Sequence, residues 1–185
     1  MSLVPSRECG NCTACCKVLP IRTAELQKTS HELCVHCHEQ QGCRIYASRP
    51  QVCRDYHCGW RLLPGLPDNW RPDLSGIFVD RVHFKAEAQD EIPAEYRRDF
   101  MLQLLLLKPE AIEDPLLPEV AGAFIDVKIP VFLGVCGPPG FQNALVFLNP
   151  FAKSAVAQRD RDAVLAVLRK AQALADAHPF ERLPE

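Results

Sequence analysis

The chain has 185 residues, of which 48% are hydrophobic and 24% charged, and its net charge is −2 at pH 7. This composition is typical of a globular domain and excludes a disordered chain, while the near-neutral charge gives no basis for a nucleic-acid or anionic-membrane partner. The longest purely aliphatic run, residues 104–107, is far shorter than the roughly 20 residues of a membrane helix. Because no secretory signal opens the sequence, we expect a cytoplasmic protein.

Composition differs between the first third of the chain and the rest. Nine of the ten cysteines lie at positions 9–58, and all nine phenylalanines follow residue 61. Residues 1–61 carry eight Lys and Arg against five Asp and Glu, whereas the remainder carries thirteen against eighteen. We therefore expect a single domain of the α+β class over residues 1–185. In it, a cysteine-rich metal-binding module at 5–61 packs against a remainder at 62–185, which holds a small antiparallel sheet and two main helices.

The first predicted element is the stretch Cys9-Gly-Asn-Cys-Thr-Ala-Cys-Cys16, which places four thiols within eight residues. Two cysteines separated by two residues can turn both sulfurs toward one centre. If the stretch is helical, Cys12, Cys15 and Cys16 share one face. Neighbouring side chains on a helix still diverge by about 100°, so we expect Cys15 and Cys16 to serve different centres, or one of them to bridge.

A second group of thiols follows in residues 31–60. Because proline suits the first turn of a helix, we predict a short helix from Pro50 to about His57, which places Cys53 and His57 on one face. His36 and His57 are reserve ligands, since zinc also accepts imidazole nitrogen. The cysteines of this group are Cys34, Cys37, Cys43, Cys53 and Cys58.

Three explanations of the cysteines compete. Disulfides suit an even number of cysteines, but the missing secretory signal, the chain length and the adjacent Cys15–Cys16 pair oppose them. A single reactive thiol requires one distinctive cysteine beside a base rather than a cluster. Metal chelation explains the spacing, since eight thiols fill two tetrahedral zinc sites or hold iron–sulfur clusters of four thiolates each.

The residues around the cysteines are compatible with a metal site, but they do not indicate which metal binds there. Seven basic side chains either offset thiolate charge or are simply solvated, and both interpretations stay open: Arg7, Lys17, Arg22, Arg44, Arg49, Arg54 and Arg61. Tyr46, Tyr56 and Trp60 either cover the metal site or cover a small core.

Two motifs in this region occur in a known order. Cys9, Cys12, Cys15 and Cys16 form C-x-x-C-x-x-C-C, and Cys37, Cys43-Arg-Ile-Tyr46, Arg49-Pro-Gln-Val-Cys-Arg54 and Cys58 follow. Over residues 9–58 the chain resembles the cysteine-cluster proteins described as a zinc- or iron-chelating domain. The resemblance implies metal binding without an established reaction, through Cys9, Cys12, Cys15, Cys16, Cys37, Cys43, Cys53 and Cys58. Cys34 falls outside the motif and is either a spare thiol or a replacement for Cys37.

The sequence therefore predicts a protein that binds metal ions, zinc or alternatively iron, at two sites with at least a structural role. One alternative is an iron–sulfur protein that transfers electrons or senses redox state. Another is a metal-shaped protein-interaction module that captures its partner through the surface near Trp60 and Trp70. The chain contains none of the dinucleotide, phosphate-loop, zinc-protease or nucleophile-elbow fingerprints, which favours a binding protein over an enzyme and leaves open a catalytic metal site made with fewer thiols.

The remaining elements follow in chain order. Residues 63–76 form an irregular connector, 76–84 a strand and 94–108 a helix in which Tyr96, Phe100, Leu104 and Leu107 share a face. Strands at 131–136 and 144–148 flank Gly137-Pro-Pro-Gly140 as a hairpin, and a second helix covers 160–177. We expect the acidic run from Glu110 to Glu119 to be a solvated connector and Cys136 to be a core thiol.

Overall fold

A computed structural model describes residues 2–83 and 92–183. The cysteine-rich segment contains only short elements, since its helices have four or five residues and its strands two. They are α1 (Ala14–Val18), β1 (Ile21–Arg22), β2 (Gln27–Lys28), β3 (Cys37–His38), β4 (Gly42–Cys43), α2 (Gln51–Asp55) and α3 (Gly59–Leu62). β1 pairs with β2 and β3 with β4, both antiparallel.

The rest of the described chain forms one sheet with helices. Its elements are α4 (Pro72–Ser75), β5 (Ile77–His83), β6 (Phe100–Leu106), α5 (Leu117–Asp126), β7 (Val131–Val135), β8 (Ala144–Phe147), α6 (Asn149–Ala157) and α7 (Arg161–Ala177). The strand order is β5-β6-β7-β8. β5 and β8 run antiparallel to their neighbours, but the central β6–β7 pair is parallel, because the chain crosses through α5 between them. The sheet is therefore mixed rather than purely antiparallel.

The predicted helix at 94–108 is wrong. Ala94–Tyr96 form a single 3₁₀ turn, and Phe100–Leu106 form β6. β6 lies between β5 and β7 and is covered on both faces, so its buried side chains are consecutive instead of alternating. A continuous apolar run of this kind also contains helix-spaced residues, and that spacing misled the prediction.

Three other predictions are confirmed in type and approximate position. β5 covers Ile77–His83 of the strand expected at 76–84, while Gly76 caps α4 and Phe84 lies outside the described residues. β7 and β8 form the hairpin around Gly137–Gly140, and α7 is the helix expected at 160–177. The Asp160 side chain caps α7 by accepting a hydrogen bond from the Ala163 amide at 3.0 Å. The sequence analysis missed α5, part of which it treated as connector, and α6, which begins at Asn149-Pro150.

The main core lies on the sheet face that α5, α6 and α7 cover. Ile77, Val79, Leu104 and Leu133 point into this core from the strands and meet Leu168 of α7. Trp60 of α3 and Trp70 of the connector join the same core. The opposite face presents Phe78 and Leu105, which pack against Ala14 and Val18 of α1. Side chains alternate along a strand, so successive residues of β5 point to opposite faces of the sheet. The cysteine-rich segment packs against both faces of β5, with α1 on one face and α3 on the other.

Close packing fixes α3 against β5. A Cβ atom added to Gly59 would lie 2.5 Å from the Val79 Cγ1 atom, so only glycine allows this approach. Nearby, Arg7 is 4% exposed and donates hydrogen bonds to the Trp60, Leu63 and Leu66 carbonyl oxygens. The N-terminal residues are thereby fixed to α3 and to the connector.

Hydrogen bonds also connect the cysteine-rich segment to the β7–β8 loop. The Ser30 hydroxyl donates to the Phe141 carbonyl oxygen at 2.7 Å, and the Gly140 amide donates to the Ser30 carbonyl oxygen at 3.1 Å. The loop in turn pairs with the C-terminal residues, since Phe141 and Arg182 form an antiparallel bridge.

Among residues 2–83 and 92–183, no helix combines the length and apolar character that crossing a membrane requires.

Candidate metal centre

Two turns of the same kind bring cysteines of the segment into pairs. The Cys12 amide donates to the Cys9 carbonyl oxygen at 2.9 Å, and the Cys37 amide donates to the Cys34 carbonyl oxygen at 2.8 Å. Each turn closes a C-x-x-C stretch and places its two cysteines near each other. The second pair includes Cys34, which the motif left out.

The cysteines separate into two groups by what they pack against. Cys12, Cys15 and Cys58 pack with Phe78 and Leu105 of the sheet, as does Cys136, which follows β7 and lies outside residues 5–61. Cys9 lies beside this group, since its carbonyl oxygen accepts from the Cys12 amide and it lines the same cavity as Cys12 and Cys15. We call Cys9, Cys12, Cys15 and Cys58 the first thiol set.

The second group packs around Leu26, away from the sheet. Cys34 and Cys37 are its buried members, at 6% and 8% exposure, and Cys16, Cys43 and Cys53 pack against them. We call Cys16, Cys34, Cys37, Cys43 and Cys53 the second thiol set. The structure thus brings all eight predicted residues, with Cys34 as a ninth, into two adjoining sets, and it places Cys15 in one set and Cys16 in the other.

A glycine lets the two halves of the segment approach. Gly42, the first residue of β4, has φ +76°, and a Cβ atom there would lie 2.8 Å from the Gly10 carbonyl oxygen. The strand that carries Cys43 therefore lies directly against the loop between Cys9 and Cys12, which only a residue without a side chain permits.

One cavity of about 170 Å³ runs along both sets. Its wall includes four thiols from the N-terminal motif and four from the later stretch: Cys9, Cys12, Cys15, Cys16, Cys34, Cys37, Cys43 and Cys53. Leu19, Ile21 and Leu26 supply apolar wall, and His36 and Arg49 supply polar groups. Cys58 is outside this lining and is partly buried between the two cores.

Burial makes most of these thiols hard to ionise without a cation. It raises the pKa of Cys12 to about 12 and also raises the pKa values of Cys37, Cys53 and Cys58. Cys16 is the exception. Its pKa falls to about 6, first because the Cys15 thiol donates a hydrogen bond to it, then because of Cys37 and the charges of Lys28 and Arg49.

The basic side chains divide between electrostatic and structural roles. Arg49 lines the cavity and stacks on the Tyr46 ring, with its Cζ 4.0 Å from the ring centroid. Lys28, which the sequence analysis did not single out, is held near Cys16 by the Lys17 carbonyl oxygen at 2.9 Å. Arg7, which the sequence analysis placed among the seven possible thiolate partners, instead hydrogen-bonds the Trp60, Leu63 and Leu66 carbonyl oxygens.

The aromatic residues also separate. Tyr56 lines the cavity, and its hydroxyl donates to Asp80 Oδ1 at 2.9 Å, whereas Tyr46 is 47% exposed at the rim. Trp60 and Trp70 are 6% and 0% exposed in the main core. Neither ring is therefore part of the protein surface, and the protein-interaction alternative stays a hypothesis.

Two local predictions also fail. α1 begins at Ala14, so Cys12 precedes the helix and does not share its face with Cys15 and Cys16. α2 ends at Asp55, so Cys53 and His57 do not share a helical face, and His57 is outside the cavity lining. The backbone is extended at Tyr56, so α2 ends at Asp55 and the Tyr56 side chain can hydrogen-bond Asp80.

The donor chemistry of the two sets fits a thiophilic metal such as zinc or iron. All ten cysteines, which lie within the described ranges, are free. The Cys15 and Cys16 sulfurs, one from each set, are 3.9 Å apart, so the two sets adjoin at this pair. In residues 2–83 and 92–183, no three His, Cys, Asp or Glu side chains already meet at one coordination point. Binding an ion therefore requires rotation about the single side-chain torsion of some cysteines.

Comparison with known proteins returned no match: not to any family model, not to any curated protein and not to any solved structure.

Proposed function

We propose that this protein binds metal ions at two neighbouring thiol centres, with zinc as the simplest occupant. The observation that supports this proposal is the gathering of nine free thiols, from two separate stretches of chain, into two adjoining sets. Burial holds several of these thiols neutral, and a divalent cation would replace their protons, so that binding releases protons and favours the folded segment. The metal would at least hold residues 5–61 together.

The experiment is metal analysis of the full chain purified without oxygen. We expect about two zinc ions per chain, one for each set. Cys12→Ser and the double variant Cys34→Ser/Cys53→Ser, each of which leaves its set with three thiols, should each lower the count by about one ion. Cys136→Ser is the control, because Cys136 is free and does not line the cavity, although it packs against Phe78 and Leu105 like the first thiol set. Wild-type protein with no stoichiometric metal would contradict the proposal.

An iron–sulfur protein is the second candidate, and the cavity volume favours it. About 170 Å³ along the thiols exceeds the roughly 10–15 Å³ that a single water-sized particle occupies, so a larger inorganic group would have room. The same anaerobic preparation separates the candidates. An iron–sulfur protein contains iron and absorbs broadly in the visible range, whereas a zinc protein is colourless.

A further inference from the structure

We propose that the cavity beside the thiols binds a small carboxylic acid with an apolar ring, similar in size to benzoate, and that Arg49 pairs with its carboxylate. This inference goes beyond metal binding and does not rest on it, because the residues that carry it are those of the cavity wall other than cysteine.

The apolar part of the wall comes from two stretches of chain. Residues 19–21, Leu-Pro-Ile, line the cavity from the end of α1, and Ile45, Pro50 and Val52 line it from the later stretch. The cavity volume is about 170 Å³. A cavity of about 150 Å³ with apolar walls is large enough to bind benzene. The space therefore suits one ring of that size.

The charge on the wall selects an anion. Arg49 lies on the wall, and no Asp or Glu is among the described residues that line the cavity. Within residues 2–83 and 92–183, no acidic side chain pairs with the Arg49 guanidinium, which instead stacks on the Tyr46 ring. A cation without an acidic partner, beside an apolar wall, complements a ligand that has one carboxylate and an apolar body.

Stacking determines how Arg49 can pair with a ligand. The Arg49 Cζ lies 4.0 Å from the Tyr46 ring centroid, so the ring covers one face of the guanidinium and leaves the N–H groups at its edge available. That edge matches the two oxygens of one carboxylate.

The position of this pair places the carboxylate at the cavity mouth. Tyr46 is 47% exposed and Val52 is 37% exposed, so this end of the cavity opens at the protein surface. A ligand that pairs with Arg49 there would direct its ring inward, against the apolar side chains. Inorganic phosphate and acetate also offer oxygens to Arg49, but neither has a ring to place against that wall.

The test is a calorimetric titration of the full chain, purified without oxygen, with benzoate. We expect saturable binding of about one benzoate per chain. Benzamide has the same ring but no charge, whereas acetate and inorganic phosphate have the charge but no ring. Each of the three should bind at least about tenfold more weakly than benzoate, since the ionic hydrogen bonds and the burial of the ring each contribute more than a factor of about ten.

Variants assign the binding to Arg49. Arg49→Gln should weaken benzoate binding at least about tenfold and leave benzamide binding unchanged. Arg49→Lys keeps the charge without the planar edge and should have an intermediate affinity. Arg44→Gln is the matched control, because it removes the same charge from an exposed side chain that donates to the Val35 carbonyl oxygen outside the cavity wall. Circular dichroism and metal analysis check that each variant keeps its fold and metal content.

Several results would overturn the inference. They are the absence of saturable benzoate binding by the wild type, equal affinity for benzoate and benzamide, and a benzoate affinity that Arg49→Gln leaves unaltered. Acetate or phosphate binding as tight as that of benzoate would also contradict it, because the apolar wall would then contribute nothing. Zinc without benzoate binding would refute this inference and leave the proposed function intact, whereas benzoate binding without stoichiometric metal would do the reverse.

Discussion

The Tyr56 hydroxyl donates a hydrogen bond of 2.9 Å to Asp80 Oδ1, and this contact joins the cysteine-rich segment to the first strand of the sheet. Tyr56 lines the thiol cavity, while Asp80 is an 8% exposed carboxyl group in β5. The hydrogen bond therefore lies between the candidate site and the fold that supports it.

Removal of the Tyr56 hydroxyl should destabilise the protein. Tyr56→Phe withdraws a donor from a buried carboxyl group, and an unsatisfied buried polar group costs about 1–3 kcal/mol. Urea unfolding of the metal-loaded chain measures the loss. Tyr46→Phe is the control, because Tyr46 is 47% exposed and a phenylalanine ring can still stack under Arg49. Equal stability of wild type and Tyr56→Phe would show that the contact contributes nothing.

The same carboxyl group should make stability depend on pH. Burial raises the pKa of Asp80 above its ordinary value of 3.8, although hydrogen bonds from Tyr56 and the Arg81 amide oppose the shift. Because the folded-state pKa is the higher one, the stability that protonated Asp80 contributes is fully present below pH 3.8 and is lost as pH rises through the folded-state pKa.

Asp80→Asn should remove this dependence, because asparagine stays neutral and its Oδ1 still accepts from Tyr56. We expect the variant to gain on wild type as pH rises and to be the more stable protein at neutral pH. Unfolding curves at matched pH values for both proteins give the difference. A constant difference across the range would contradict the assignment to Asp80.

Local patterns in the sequence were sufficient for some elements. α7 has regular apolar spacing, a capping Asp160 and no competing turn signal, so its span was predicted almost completely. The β7–β8 hairpin follows from Gly137–Gly140 between two apolar runs. In both cases the residues that determine the structure are near each other in sequence.

β6 shows where local patterns fail. Its leucines are buried because β5, β7 and both covering layers surround them, and those neighbours come from distant parts of the chain. The same residues fit a helix when they are considered alone. The parallel β6–β7 pairing has the same origin, since it depends on α5, which the sequence analysis missed.

The sequence indicated which cysteines lie near one another better than it indicated how they are arranged. All eight cysteines of the motif do gather, and the C-x-x-C spacing of Cys34 and Cys37 was a signal that Cys34 belongs with them. Cys15 and Cys16 pack in different groups although their sulfurs are 3.9 Å apart, and that they serve different metal centres stays a prediction. The contact between Tyr56 and Asp80 was not predictable, because 24 residues separate them and no motif links them.

Arg7 should contribute more to stability through its hydrogen bonds to carbonyl oxygens than through its ion pair with Asp68. It is 4% exposed and donates to three carbonyl oxygens, whereas its partner Asp68 is 84% exposed. Since each hydrogen bond with a charged group contributes about 1.5–3 kcal/mol, Arg7→Met should destabilise the chain by several kcal/mol. Asp68→Asn should change stability by less than about 1 kcal/mol. Chemical denaturation compares the two variants, and a larger effect of Asp68→Asn would reverse this ranking.

Gly42→Ala should weaken metal binding as well as the fold. The new Cβ atom would lie 2.8 Å from the Gly10 carbonyl oxygen, and φ +76° is unfavourable for alanine by about 1–2 kcal/mol. The strand that carries Cys43 must then move away from the Cys9–Cys12 loop. Zinc affinity, measured by competition with a chelator, should fall. Gly65→Ala is the matched control, since a Cβ atom there meets nothing within 4 Å, and it should retain wild-type affinity.

Metal removal should unfold the cysteine-rich segment before the sheet and its helices. Apart from cysteines, the buried apolar side chains of residues 5–61 are only Ala14, Val18, Leu26 and Trp60, and the paired strands there have two residues each. With so little core, the segment would depend on the proposed metal for folding free energy. α7 and β7, in contrast, pack in the main core with Leu168 and Leu133.

Hydrogen exchange, followed by mass spectrometry before and after chelation, tests this order. Peptides from residues 5–61 should lose protection first, and those from β7 and α7 should keep it. β5 should be intermediate, because α1 and α3 cover its two faces while β6 still pairs with it. Loss of protection in all peptides together would mean that the metal stabilises the whole chain as one cooperative unit. Unchanged protection in residues 5–61 would mean that packing against β5 is enough to hold the segment without metal.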